Sequence, residues 1–420
     1  MVTQKGFPFQ DIILFITDKY TLHALTIILF GVKLVVSIKA KIFDKNTGVE
    51  RYELMKKVRI LLVLMVISLC FFLLTACQNG KQFIYSNYDY FGSTLKAVVY
   101  TNNDSFNFFT EQADAHLQEL NLSCNEEIEG SDIYKFNLAI DGEKIEVQKT
   151  LFDVVKEAKE IHTLTNGAYN PCVYYLVDLW GFSTRFSKDK DIVKIYDRAF
   201  DESGFLPIPE KKYIDAFSEL SNFDKVLCLE KDGKYYLMKE NTKVTVDGQD
   251  YYAKIDLGGL IKGYAIDKLT EIANRLGITK GYISYGTSSI AILENKKSDN
   301  WDLKLTNPRH IEGASDTFIK MPVKNKHISS SGDYERYYEK EGKRYSHIID
   351  ASLGKPIDNG IIAATVICQS ANLADMLSTA ICVMGQDNAI EFMKSNYCAE
   401  NDIQVILTYI ENDQMKIFTS

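Results

Sequence analysis

Four short stretches carry side chains whose types and spacing suit work on a phosphate ester. The first is Asp256-Leu257-Gly258-Gly259-Leu260-Ile261-Lys262-Gly263-Tyr264-Ala265. Glycines at a strand-to-helix junction let backbone N–H groups approach a phosphate, and Lys262 in the first helical turn reaches the same anion. Asp256 is placed to accept hydrogen bonds from a base or a sugar. Gly-Gly ahead of a helix also occurs in plain tight turns, where the lysine is merely solvated. The second stretch is Ser329-Ser330-Ser331-Gly332-Asp333-Tyr334-Glu335-Arg336-Tyr337. It offers hydroxyl and amide donors, with tyrosines for an aromatic ligand; the plainer alternative is a polar loop entering an exposed strand. In the third, Tyr345-Ser346-His347-Ile348-Ile349-Asp350 precedes Gly354-Lys355-Pro356. Strand alternation sends Tyr345, His347 and Ile349 to one face and Ser346, Ile348 and Asp350 to the other. A histidine at a strand end can act as a general base near neutral pH, although a lone histidine is more often only hydrogen-bonded. In the fourth, Ser370 is an N-cap for a helix on which Asp375 and Thr379, four apart, share a face. A carboxylate and a hydroxyl there suit a hard cation such as Mg²⁺, which takes oxygen ligands. The alternative, an exposed Asp–Thr hydrogen bond, fits less well in so apolar a helix.

Elements must hold these stretches in place. Apolar periodicity predicts helices over 108–120 and 151–165, the second stopped by Asn166-Gly167. Residues 95–100 read as a strand. Residues 184–224 read as a surface excursion with a helix near Ile214. Strands follow over 225–246, broken by a turn at Lys231-Asp232-Gly233. A helix is expected to begin near Gly259, and alternating strands to fill 281–350. The end reads as strand (361–368), helix (371–383), helix (387–395) and strand (403–410). The mixture lacks a regular βαβ rhythm, so the expected class is α+β.

The chain of 420 residues is 46% hydrophobic, with a formal net charge of −8. It can bury a sizeable core, and its acidity speaks against nucleic acid as partner. Residues 55–76 start Met55-Lys56-Lys57-Val58-Arg59, continue as an apolar run over 60–74, and end Thr75-Ala76 before Cys77. This is the pattern of an export signal, too short for a comfortable membrane span. Residues 1–54 are then an N-terminal extension, either a marginal membrane segment over 22–38 or the result of a misassigned start. Residues 77–90 read as a tether. The six cysteines beyond Cys77 are irregularly spaced and read as buried small hydrophobes.

The Thr75-Ala76-Cys77 end resembles a bacterial lipobox, which implies a diacylglycerol on Cys77 and a membrane-anchored, extracytoplasmic protein. From 91 to the C-terminus the ordered motifs resemble the ApbE family of FAD:protein FMN transferases. They are Gly167-Ala168-Tyr169-Asn170-Pro171 with Leu179-Trp180-Gly181-Phe182, then the four stretches above in order. The resemblance implies one α+β, T-fold-like domain of mixed and antiparallel sheets with packed helices, over residues 91–420, holding FAD in a cleft. It implies Mg²⁺ on Asp375 and Thr379 with Gly259 alongside. It implies flavin-nucleotide contacts from Ala168, Tyr169, Asn170, Asp256, Lys262 and Ile348, with Phe91 and Tyr134 near others. It gives His347 a catalytic role beside Lys262. Three positions depart from the family pattern: Asn170 for Asp, Gly286-Thr287-Ser288 for Gly-Gly-Asn, and Ala351 for Pro.

The expected reaction is Mg²⁺-dependent transfer of FMN from FAD to a Thr or Ser hydroxyl of an acceptor protein, with release of AMP. Acceptors implied by the resemblance are subunits of Rnf- or Nqr-type complexes and extracytoplasmic flavoproteins. Two rival expectations are a flavin-binding lipoprotein without catalysis and a Mg²⁺-dependent FAD pyrophosphatase.

Overall fold

The structure, a computed structural model, describes residues 56, 80–88, 90–183, 208–295, 300–309 and 317–420. Apart from Lys56, the export signal lies outside the described residues, as do Cys77, the apolar segment at 22–38 and residues 184–207 of the expected surface excursion. Residues Lys81–Ser420 form one compact unit.

Its backbone is an eight-stranded antiparallel sheet: β1 (Lys81–Asn87), β2 (Leu95–Thr101), β8 (Gly281–Tyr285), β9 (Ser289–Ile292), β12 (Lys326–Gly332), β17 (Ile361–Cys368), β18 (Gln404–Glu411) and β19 (Gln414–Thr419), in that spatial order. β17 is buried along its whole length, as its run Ile-Ile-Ala-Ala-Thr-Val-Ile-Cys requires of a central strand covered on both faces. Helices α1 (Asn103–Cys124), α3 (Lys149–Leu164), α6 (Ile261–Arg275) and α7 (Ala371–Met384) share the main core with one face of the sheet. On the other face the hairpin β10 (Trp301–Thr306) and β11 (Thr317–Val323) closes a smaller core with Ile292, Ile328, Ile367 and Ile406.

Smaller parts complete the unit. β3 (Ile145–Val147), β5 (Lys234–Lys239) and β4 (Val226–Lys231) make a three-stranded sheet. Asp232 and Gly233 turn the β4–β5 hairpin with φ of 52° and 72°, the left-handed pair that a two-residue hairpin turn needs. Short helix α2 (Asp132–Leu138) follows α1. Helices α4 (Tyr174–Leu179) and α5 (Lys211–Leu220) form a satellite core with the hairpin β6 (Val244–Val246) and β7 (Gln249–Tyr251). Two further pairs are β13 (Tyr337–Lys340) with β14 (Lys343–Ser346), and β15 (Ile349–Asp350) with β16 (Lys355–Pro356). Helices α8 (Gln386–Met393) and α9 (Asn396–Glu400) precede β18.

The α+β class holds, and so do most of the elements read from periodicity. Three differ. β1 begins inside the stretch expected as a tether: Phe83 stacks on Phe106 at 4.6 Å and Tyr85 is buried, while the alternate polar residues stay wet. An edge strand with one solvated face has the polar composition of a tether. The helix expected over 108–120 runs from Asn103 to Cys124, because Asn102 caps it by accepting the Ser105 N–H. The strand expected through 345–350 breaks at His347-Ile348, leaving β14 and β15 apart. Alternation fails there: neighbours Ile348 and Ile349 are both buried, one in the main core and one in the satellite core. The six cysteines are free, five of them buried.

Candidate active site

The cleft begins where α6 and α7 cross. Gly263 lies in the first turn of α6, and a Cβ there would stand 2.4 Å from the Ala371 carbonyl oxygen. Only glycine allows so close an approach, and that approach brings Lys262 and Asp375 to one place. The Gly263 N–H, an orphan donor of a helix start, is taken by Asp375 Oδ2 at 3.1 Å. Oδ1 of the same carboxylate accepts from Ser329 Oγ at 2.6 Å and Ser289 Oγ at 3.0 Å. Those serines are register partners on β12 and β9, so their side chains leave the sheet on the same face. Asp375 is 5% exposed and makes no ion pair among the described residues. Burying a carboxylate costs several kcal/mol unless a positive charge offsets it. Three hydrogen bonds supply part of that, and a cation at its open side would supply the rest.

Thr379 lies one turn along α7, its hydroxyl 3.1 Å from Ser331 Oγ. Lys262 Nζ donates to Ser288 Oγ at 2.9 Å. Thus the loop that departs from the family pattern, Gly286-Thr287-Ser288, supplies the group that holds Lys262. Asp256 Oδ1 accepts the Gly258 N–H at 2.7 Å, fixing the turn ahead of α6. Asn137 brackets the approach to this turn, with its side-chain amide bonded to both the N–H and the carbonyl of Ile255.

The facing wall comes from two other motifs. Asn166 and Gly167 end α3 with φ of 49° and 84°. Tyr169, buried, then turns into the cleft, its phenol held protonated by burial and by the negative charges of Asp375 and Asp256. Asn170 uses both ends of its amide: it accepts from the Cys172 N–H at 2.9 Å and donates to the Ser221 carbonyl at 2.7 Å. An aspartate could not make the second bond. Trp180 donates to the Gly354 carbonyl at 2.9 Å and stacks on Tyr345, followed by Tyr338 and Phe182, with ring centroids 5.6, 5.1 and 5.7 Å apart. This ladder joins the Gly167–Phe182 motif to the His347–Pro356 motif, which the sequence shows only as neighbours in order.

His347 stands at the rim. The Arg336 carbonyl accepts its backbone N–H at 2.9 Å and faces Nδ1 at 3.3 Å. A proton on Nδ1 leaves Nε2 as the basic nitrogen. Burial, then the Arg336 guanidinium, push the imidazole down to about 3, so it is neutral near pH 7. Partial desolvation beside the cleft raises the Glu335 carboxyl against the pull of Lys262 and Arg336.

The cleft these walls enclose has a volume of about 210 Å³. Of the residues expected from sequence, Ala168, Tyr169, Asn170, Asp256, Gly259, Lys262, His347, Ile348, Asp375 and Thr379 all line it. Phe91 and Tyr134 do not: Phe91 packs on the main core, and the Tyr134 N–H bonds to the cap of α2 at Ser131. Sequence reasoning gave no role to Ser288, Glu335 or Arg336, which also line the cleft. The serine run around Ser330 was visible as a donor cluster. That Ser289 and Ser329 both serve Asp375 follows only from strand register. A larger cavity of about 810 Å³ adjoins the cleft and shares Ala168 and Asn170 with it. Another of about 490 Å³ shares Ser330, Glu335 and Arg336.

The chain is 24% identical over 350 residues to an FAD:protein FMN transferase of Vibrio cholerae, covering 83% of this chain and 94% of that one. It is 30% identical over 249 residues to one of Salmonella typhimurium, covering 59% of this chain and 63% of the relative. In fold it matches the flavin transferase ApbE of Vibrio cholerae with a TM-score of 0.64 at 24% identity, over 81% of this chain and 97% of that structure. It matches the ApbE protein of Thermotoga maritima with a TM-score of 0.63 at 24% identity, over 80% and 96%. The model of the ApbE family matches residues 91–407, and the chain belongs to that family.

Proposed function

We propose that this protein transfers the FMN moiety of FAD to a Thr or Ser hydroxyl of an acceptor protein, with Mg²⁺ as cofactor and AMP as leaving group. Relatives named FAD:protein FMN transferase support flavin transfer. The observation that carries the reading is the convergence on one cleft of a buried carboxylate, a hydroxyl, a lysine and a neutral histidine.

Asp375 and Thr379, with Gly259 alongside, are hard oxygen donors of the kind Mg²⁺ takes, and Asp375 makes no ion pair among the described residues. These residues would hold the ion, which when bound supplies charge neutralisation at the pyrophosphate. Lys262 binds a phosphate oxygen and is kept in line by Ser288. The acceptor oxygen bonds to the FMN-side phosphorus as the bond to the bridging oxygen breaks, and AMP departs with that oxygen. The hydroxyl proton passes to Nε2 of His347. An anionic pyrophosphate beside the imidazole raises its basicity for this step. Chemistry of this type rests on positioning and charge stabilisation. The nucleotide extends past Ala168 and Asn170 into the 810 Å³ cavity.

The test follows acceptor mass with FAD and Mg²⁺. A gain equal to covalent FMN, lost with EDTA and in Asp375→Ala, is the expected result. FAD cleaved with no adduct on two acceptors would make the protein a pyrophosphatase; FAD bound and uncleaved would make it a carrier.

The lipobox-like Thr75-Ala76-Cys77 supports an extracytoplasmic enzyme anchored by lipid on Cys77, beside membrane acceptors of the Rnf or Nqr type. Mass measurement of the membrane-fraction protein should show a chain beginning at Cys77 with the added mass of a diacylglycerol, and an unmodified Cys77 would sink the anchor.

A further inference from the structure

The crossing of α6 and α7 is closed twice, by carboxylates pointing in opposite senses. Asp375 of α7 takes the Gly263 N–H of α6. One turn away, Asp267 of α6 takes the first N–H groups of α7: Oδ1 accepts from Ala371 at 2.7 Å and Oδ2 from Asn372 at 2.9 Å. Ser370, the cap of α7, donates to Oδ2 at 2.7 Å. Gly263 and Asp267 are four apart on α6, as Ala371 and Asp375 are on α7, so each pair shares a helical face. Each helix thus supplies the anion for the positive end of the other. One strand serves both junctions. Ser329 of β12 donates to Asp375, and His327, two residues earlier on the same strand face, meets Asp267 Oδ1 through Nδ1 at 2.6 Å.

The junctions differ in charge. Asp267 has an imidazole beside it, whereas Asp375 makes no ion pair among the described residues. Burial works against the charge of Asp267, but His327, the Asn372 N–H and Ser370 together hold its carboxyl below the ordinary range. Neither Asp267 nor His327 is among the residues lining the cleft. They reach it through α7, whose first turn they hold; Asp375 lies one turn on and Thr379 two. Asn372 is also tied from another side, its amide donating to Glu157 of α3 at 2.6 Å. A helix with its backbone bonds intact is stiff over two turns, so its first turn sets where both oxygen donors point.

We propose that Asp267, with His327 as its partner, is a positioning residue that locks the first turn of α7 and thereby holds Asp375 and Thr379 in place as oxygen donors to Mg²⁺. The inference rests on the transferase reading and its metal. Outer partners of this kind act through the ligands they hold, and losing one typically costs about 10–100-fold in metal affinity.

The test titrates Mg²⁺ into the full protein, without acceptor, by calorimetry. His327→Leu should weaken Mg²⁺ binding about ten-fold, and Asp267→Ala should weaken it further. His327→Asn, whose amide can donate from where Nδ1 stands, should recover most of the loss. A clamp that is only structural would lower the melting temperature and leave the Mg²⁺ affinity of the folded variants unchanged. That outcome overturns the proposal, as does a His327→Asn protein that binds no better than His327→Leu. Where the variants do not fold, hydrogen exchange on the wild-type chain decides. Coupling is reciprocal, so Mg²⁺ should slow the Ala371 and Asn372 amides more than those of β4 and β5 in the other sheet. Equal slowing, or none, overturns the proposal. Weakened variants beside a wild type that binds Mg²⁺ yet transfers no FMN would sink the transferase reading alone. A wild type that binds no Mg²⁺ would sink the metal site and the proposal together.

Discussion

The two walls of the cleft are built differently. On one, Asp375 sits at a helix crossing, 5% exposed, with a main-chain N–H and two hydroxyls on its carboxylate. On the other, His347 stands half-buried at a break between short strands, held by the carbonyl of exposed Arg336. The first wall is part of the main core, so its geometry and the stability of the protein are one problem. The second shares Tyr169 and Ile348 with that core, but His347 itself lies outside it, beside a ladder of rings. Charge must be placed in advance for electrostatic catalysis, whereas a proton acceptor need only be within reach.

The sharpest way to break this contrast is Asp375→Ala. It should lower flavin transfer about 10²–10³-fold or more and also cost stability, since Ser289, Ser329 and the Gly263 N–H lose their acceptor. A normal denaturation midpoint would show that the network is not structural. Gly263→Ala should lower stability by about 1–3 kcal/mol and transfer with it, because the new methyl meets the Ala371 carbonyl. Thermal melting read beside kcat checks that the two fall together.

On the other wall, His347→Gln should reduce kcat about 10²-fold with an unchanged melting temperature. The pH profile sharpens this. Free His347 titrates near 3, so its basic form is present throughout pH 5–8 and is lost as pH falls through about 3. The kcat/KM for FAD should therefore show no acid limb from His347 between pH 5 and 8. A limb near 6.5 that vanishes in His347→Gln would contradict the half-buried, Arg336-facing placement.

The smallest effect concerns the floor beneath the Asp256 turn. Lys239 is buried, donates to the Ala253 carbonyl at 2.6 Å and lies over the Phe136 ring at 4.8 Å. Burial, then neighbouring Lys254, lower its ammonium to about 8. Between pH 8 and 10.5 the unfolded chain binds more protons than the folded one, so this group makes stability rise with pH. The rise should be roughly 1–3 kcal/mol and absent in Lys239→Met. Urea midpoints at pH 8 and 10 for both proteins measure it.

The chain reveals its elements well where one periodicity rules. β17 and α7 were legible because a continuous apolar run and a capped apolar helix each have few alternatives. β1 was not, since a half-wet edge strand shares its composition with a tether. The break at His347-Ile348 was hidden because two cores on different sides of the chain claim adjacent isoleucines. Ten of the site residues were legible as ordered motifs, while Phe91 and Tyr134 were carried by alignment alone and lie elsewhere.

The sequence by itself determined which chemistry is present: a carboxylate and hydroxyl on one helical face, glycines ahead of a lysine, a histidine near a turn. Local spacing is enough for that, because a helix or strand places its own residues. Tertiary structure alone decided that Gly263 lets α6 and α7 touch, and that Ser289 and Ser329 close on Asp375. It also decided that Ser288 holds Lys262 and that Trp180 joins two motifs 174 residues apart. Those contacts depend on strand register and helix crossing, which are set by the packing of the whole core and by no single segment.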